Sequence, residues 1–113
     1  MNPVFDEEQA MKITAGDRDL FRELVQVFGD QKDSLLAQID KAIKVNDPRA
    51  LTLAAHSLKG SLLNLGGQAA GEIARQLEAL GCEGTIGEAS RILDRLKEAV
   101  ALFEQAVARI WIR

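Results

Sequence analysis

Tyrosine is missing from this chain of 113 residues, tryptophan and cysteine occur once each, and aromatic side chains make up only 4%. With so little aromatic bulk, a core has to be built from aliphatic side chains. The lone Cys82 cannot form an internal disulfide, so a disulfide scaffold is excluded and a reducing compartment is the default. Only two prolines interrupt a sequence rich in alanine and leucine, a composition that favours helix. The formal net charge is -3, and no Lys/Arg cluster is long enough to read as a nucleic-acid surface. No apolar run approaches membrane-spanning length, and the N-terminus lacks the charged-then-apolar pattern of a signal peptide. The expectation is a cytoplasmic domain without direct membrane contact, whether free or part of a longer, membrane-anchored protein.

What is present points to one folded unit spanning 1–113. Hydrophobic residues are 47% and charged residues 27%, ordinary values for a globular domain with a single core. Asp6, with Gln9 three residues later, opens a short helix that Gly16 ends. Asp17 or Asp19 caps a second, with Leu20, Leu24, Val27, Phe28, Leu35, Ile39, Ala42 and Ile43 on its apolar face; Gly29-Asp30 allows a bend in it. Asn46-Asp47-Pro48 starts a third: aspartate suits the cap, and proline suits the first helical position. Its apolar period runs to about Leu65, where Gly66-Gly67 ends it. A fourth carries Ala70, Ile73, Ala74, Leu77 and Leu80 and is expected to stop at Gly81. Thr85 and Glu88 read as a capping box before a last helix with Ile86, Ala89, Leu93, Leu96, Val100, Phe103, Val107 and Ile110 at alternating threes and fours. Trp111 and Ile112 either pack at its end or fray. No alternating run competes as a strand. The fold class is all-α, an antiparallel up-down four-helix bundle with a short additional N-terminal helix.

The chemistry converges on the only histidine, in Ala55-His56-Ser57-Leu58-Lys59-Gly60-Ser61. Residues three and four apart share a helix face, which places Lys59 and Gly60 beside His56. Leu51, Ala55, Leu58, Leu62 and Leu65 form the core stripe. At about 100° per residue, His56 falls roughly 140° from its centre, Lys59 roughly 80° away on the flank, and Gly60 opposite. Leu63 also points outward near His56 and Gly60, and Leu53 lies on the far side. An exposed imidazole is a nucleophile near neutral pH, the lysine can hold an anion, and the glycine leaves room for a partner. Taken singly, each has an ordinary reading: a polar surface histidine, a solvated cation, a tolerated glycine, and for Glu78 a surface carboxylate. The coincidence of His56, Lys59 and Gly60 on one open face favours a histidine that handles phosphate.

These residues, with Asn64-Leu65-Gly66, Leu77-Glu78 and Leu80, resemble the histidine-containing phosphotransfer (HPt) domain of bacterial phosphorelays. The stretch Val4-Phe5-Asp6, with Gly16-Asp17 and Leu20, is similar to the opening of such domains at the C-terminal end of hybrid sensor kinases, so a hybrid kinase and a free-standing domain are both admitted. The resemblance implies that His56 is phosphorylated on Nε2, that Lys59 neutralises the phosphoryl oxygens, and that Gly60 leaves space for docking. It implies that Glu78 accepts a hydrogen bond from the His56 Nδ1–H. Arg75, one turn before Glu78, adds positive potential, and Leu63 belongs to the docking surface. The partners implied are response-regulator receiver domains, which would supply the Mg²⁺; no cofactor or metal is expected in this domain. Two departures stand out: Leu62 replaces a small residue, and Gly67 replaces a frequent alanine, which loosens the turn.

The function this implies is that of a relay intermediate, taking a phosphoryl group from a receiver aspartyl phosphate onto His56 and passing it to another receiver. No Gly-x-x-x-x-Gly-Lys-Ser/Thr loop or kinase-like glycine-rich loop is present, so no ATP-dependent autophosphorylation is expected. A second reading keeps the fold as an adaptor or inhibitor that docks a receiver or kinase without transfer; the intact His56 and Lys59 argue against it. A third, a metal- or haem-binding bundle, lacks ligands, since such centres need several.

Overall fold

Three aspartates set the starts of the first three helices. Asp6 Oδ1 accepts from the Gln9 amide at 3.0 Å and opens α1, Glu7–Ile13. Asp17 Oδ1 accepts from the Leu20 amide at 3.0 Å and opens α2, Arg18–Lys44. Asp47 Oδ1 accepts from the Ala50 amide at 3.1 Å, with Pro48 in the first turn of α3, Pro48–Asn64. Each cap is worth about 1 kcal/mol. Then follow α4, Gln68–Glu83, and α5, Ala89–Trp111. The computed structural model describes residues 2–111, and of Trp111 the backbone alone; the packing of Trp111 and Ile112 lies outside the described residues. Among the described residues every regular element is a helix and none is a strand.

The four long helices close a circuit: α2 packs on α3, α3 on α4, α4 on α5, and α5 on α2, with α1 against α2 and α3. The α3–α4 seam is the most extensive. Between the helices lies one aliphatic core, including Ile39, Leu51, Leu58, Leu62, Leu77 and Leu96, each essentially inaccessible. The four phenylalanines gather at one end. Phe103 meets Phe5 and Phe28 edge to face with centroids 5.9 and 5.8 Å apart, and Phe5 lies 5.8 Å from Phe21. Lys32 of α2 and Glu104 of α5 form an ion pair at the rim of this core.

Phe5 is carried there by the segment before α1. The Asp6 amide donates to the Gly66 carbonyl at 2.7 Å, and the Ala69 amide to the Pro3 carbonyl at 2.9 Å. Gly66 has φ +83°, and a β-carbon on it would lie 2.4 Å from the Asp6 carbonyl oxygen. Only glycine suits both the left-handed backbone and the close approach. Gly67 does not loosen this turn: a β-carbon there would stand 3.1 Å from the Phe103 ring and 3.3 Å from the Leu62 carbonyl oxygen. The bare backbone lets the turn close down on α5.

Several boundaries and faces differ from the sequence expectation. Helix α2 runs unbroken through Gly29 and Asp30. Its core line passes through Phe21 and Phe28, leaving Leu20 and Val27 exposed, because one residue along the helix turns the side chain by about 100°. Helix α4 does not stop at Gly81. It continues to Glu83 and ends on Gly84 in the left-handed region, φ +74°. The Thr85–Glu88 capping box does not form. Thr85 Oγ1 donates to Glu83 at 3.3 Å, the Glu88 carboxylate pairs instead with Arg91 at 2.9 Å, and Ile86 is buried in the connection ahead of α5.

Candidate functional site

The apolar stripe of α3 is turned inward, with Leu51, Leu58 and Leu62 fully buried. That orientation exposes His56, whose side chain is 65% accessible. Lys59, one turn on, is half-sunk at 22%. Gly60 faces open space: no atom lies within 4 Å of where its β-carbon would be. Leu53, one turn before His56, is 60% exposed, so the histidine sits on a face with an apolar side chain and a bare patch of backbone.

Helix α4 supplies the group that ties these together. His56 Nδ1 lies 2.5 Å from Glu78 Oε2, and Lys59 Nζ donates to Glu78 Oε1 at 2.7 Å. One carboxylate thus spans two residues of the neighbouring helix. The hydrogen bond from Lys59 holds the Glu78 carboxyl below its ordinary value of 4.5; desolvation opposes this, and the contact with His56 reinforces it. An ionised carboxylate only accepts, so the proton of the His56–Glu78 hydrogen bond belongs to Nδ1. In the neutral ring, Nε2 then carries the lone pair.

Arg75 stands on the same side of α4 and is exposed, but it is engaged by Glu72. Its Nε donates to Glu72 Oε2 at 2.9 Å, and its Nη2 to Oε1. That pair lowers the Glu72 carboxyl and raises the Arg75 guanidinium, with a smaller contribution from Glu78. Leu63 is partly buried and covers Gly71 of α4, so the leucine expected to point outward leans onto the neighbouring helix. The structure therefore brings together His56, Lys59 and Glu78, leaves Gly60 open beside them, and places Arg75 and Leu63 at the margin. Sequence reasoning did not find Lys59 as the second partner of Glu78, because nothing in linear spacing gives the distance between helices. The Glu72–Arg75 pair is also absent from the sequence reading, although its i, i+3 spacing is a local signal that could have found it.

The seam between α2 and α3 holds two hollows. One hollow is lined by Lys41, Val45, Leu53 and Ser57, the other by Ile13, Val27, Ser61 and Asn64. Among the described residues no helix is long and apolar enough to cross a membrane.

The family model for the Hpt domain matches residues 23–106, well over half of the sequence, and the chain belongs to that family. Its fold is similar to that of histidine-containing phosphotransfer protein B (HptB) from Pseudomonas aeruginosa PAO1. That crystal structure aligns with a TM-score of 0.83 at 23% identity, over 96% of this chain and 98% of the other. None of the curated proteins compared with the chain matches it. The protein is accordingly an intermediate of a two-component phosphorelay, of the class that works with response-regulator receiver domains.

Proposed function

We propose that His56 is the phosphoacceptor of this relay, that it takes the phosphoryl group from a receiver aspartyl phosphate, and that it yields it to a second receiver. The observation that carries the reading is the exposed imidazole with Nδ1 engaged by Glu78, which leaves Nε2 as the nucleophile on the open side. In the transfer, the Nε2 lone pair attacks phosphorus. A P–N bond forms, the P–O bond to the receiver aspartate breaks, and the aspartate leaves as a carboxylate. The cation that accumulates on the ring is shared with Glu78 through Nδ1–H, so the charge is met where it develops. The reverse sequence, with a second receiver's aspartate attacking phosphorus, restores neutral His56. Mg²⁺ belongs to the receiver in this scheme.

Lys59 has three N–H donors, of which one is engaged by Glu78; the others are available to phosphoryl oxygens. Gly60 gives the receiver a close approach to the backbone, Leu63 is part of the surface it meets, and Arg75 adds positive potential at the margin. The connections of three, three and five residues between the long helices support an antiparallel up-down bundle. A cytoplasmic setting accords with a lone, exposed Cys82.

The test is a two-step relay. A phosphorylated receiver and Mg²⁺ are incubated with the domain, and the purified domain is then mixed with a second receiver. Acid-labile, base-stable phosphate on the domain, chased onto the second receiver and lost in His56→Gln, is the expected result. A His56→Gln variant that sustains signalling at the normal level would instead make the domain an adaptor.

A further inference from the structure

Two glycines of α4 lie against α3. A β-carbon on Gly71 would come 2.5 Å from Leu63 Cδ2. One on Gly81 would come 2.3 Å from Thr52 Oγ1 and 2.9 Å from both the Pro48 carbonyl oxygen and the Thr52 amide nitrogen. The two contacts differ in kind. Leu63 is a flexible side chain that can turn aside, whereas the obstacle at Gly81 includes the backbone of α3. Thr52 is itself held there, its hydroxyl donating to the Pro48 carbonyl at 2.9 Å. Any side chain at position 81 must push the helices apart.

Glycine inside a helix costs about 1 kcal/mol relative to alanine. Gly81 has no turn to make in return, since α4 runs past it and is ended by Gly84. What distinguishes its position is register. Gly81 follows Glu78 by three residues and Thr52 precedes His56 by four, so the backbone contact lies one turn from the His56–Glu78 hydrogen bond on both helices. The carboxylate is held from two sides, 2.5 Å from Nδ1 and 2.7 Å from Nζ. Widening the seam by about 1 Å would take the first contact out of ordinary hydrogen-bond range.

We propose that Gly81 is a positioning residue for the phosphotransfer. By letting the α4 backbone rest on Thr52 and Pro48, it sets the helix spacing at which Glu78 reaches His56 Nδ1, and so decides which ring nitrogen carries the lone pair. The inference rests on His56 being the phosphoacceptor for its consequence, though not for its geometry.

The test reads the tautomer of His56 in the unphosphorylated domain by ¹⁵N–¹H correlation. Wild type and Gly71→Ala are expected to hold the neutral ring as Nδ1–H. Gly81→Ala is expected to give a mixture of Nδ1–H and Nε2–H and to slow transfer by about 10- to 100-fold, the penalty of a misplacement near 1 Å. Glu78→Asp, which withdraws the carboxylate by one methylene at unchanged helix spacing, is expected to give the same mixture, and it decides the matter should Gly81→Ala not fold. Retention of the pure Nδ1–H tautomer in folded Gly81→Ala, or in Glu78→Asp, overturns the proposal. A wild-type domain that takes up no phosphate would sink the relay reading while leaving the tautomer comparison intact.

Discussion

Nδ1 of His56 lies 2.5 Å from Oε2 of Glu78 across the α3–α4 seam, and the other oxygen of that carboxylate is taken by Lys59. The lysine and the histidine are one turn apart on the same helix, so a single acidic side chain fixes both. Lys59 keeps Glu78 ionised, and ionised Glu78 keeps the His56 proton on Nδ1. The three residues act as a unit, and their effects on transfer should not add.

Lys59→Ala removes both the cation proposed to face the phosphoryl group and the partner that holds Glu78 ionised. Phosphotransfer to the domain is expected to fall about 100-fold, with the Glu78 carboxyl rising toward its ordinary value of 4.5. Lys59→Arg keeps the charge and should recover much of the rate. Stopped-flow transfer and carboxyl NMR titration read the two effects separately; a rate loss without movement of Glu78 would break the link between them.

The lowered Glu78 carboxyl gives an acid limb to stability. A carboxyl whose folded value is depressed contributes fully above its unfolded value, here 4.5, and the contribution is lost as pH falls through the lower folded value. Glu78→Gln should therefore be less stable than wild type by about 1 kcal/mol above that range, and the gap should close as the pH is lowered further. Urea midpoints taken from pH 6 to about pH 3 check this. A gap that widens with acid would contradict the assignment.

Phe103 is fully buried and touches Phe5 and Phe28. Phe103→Ala should cost about 3–5 kcal/mol, read as a drop in urea midpoint, because the cavity opens where α5, α2 and the N-terminal segment meet. A loss below about 1 kcal/mol would mean that the aromatic cluster is not what holds that end together.

Gly66→Ala should cost more than about 1 kcal/mol, since position 66 combines φ +83° with a carbonyl oxygen 2.4 Å from the added carbon. Hydrogen exchange at the Asp6 amide, which is bonded to Gly66, should speed up more than exchange in α5. Uniform loss of protection would place the strain elsewhere.

Much of this was legible in the chain because it depends on local chemistry. Asp6, Asp17 and Asp47 cap where side-chain oxygens can reach amides three residues on, and the stripe from Leu51 to Leu65 dictates that His56 faces outward. Three features escaped for the same physical reason. Gly81 reads along the chain as a stop, although glycine also serves where two backbones touch, and only the partner helix distinguishes the uses. Leu20 and Val27 fall on the apolar face of α2 but stay exposed, because that face is broader than what α3 and α5 cover. The helical wheel points Leu63 outward, but the gap over Gly71 draws it sideways. Each depends on what stands across a seam, which periodicity along one helix does not encode.

The most direct measurement is the site of the phosphoryl group. The domain, labelled with ¹⁵N-histidine and phosphorylated by a receiver in the presence of Mg²⁺, is examined by ³¹P and ¹⁵N NMR. Phosphorus bonded to Nε2 of His56, with Nδ1 still protonated toward Glu78, is expected; phosphorus on Nδ1, or on any residue other than His56, would overturn the proposed role of His56.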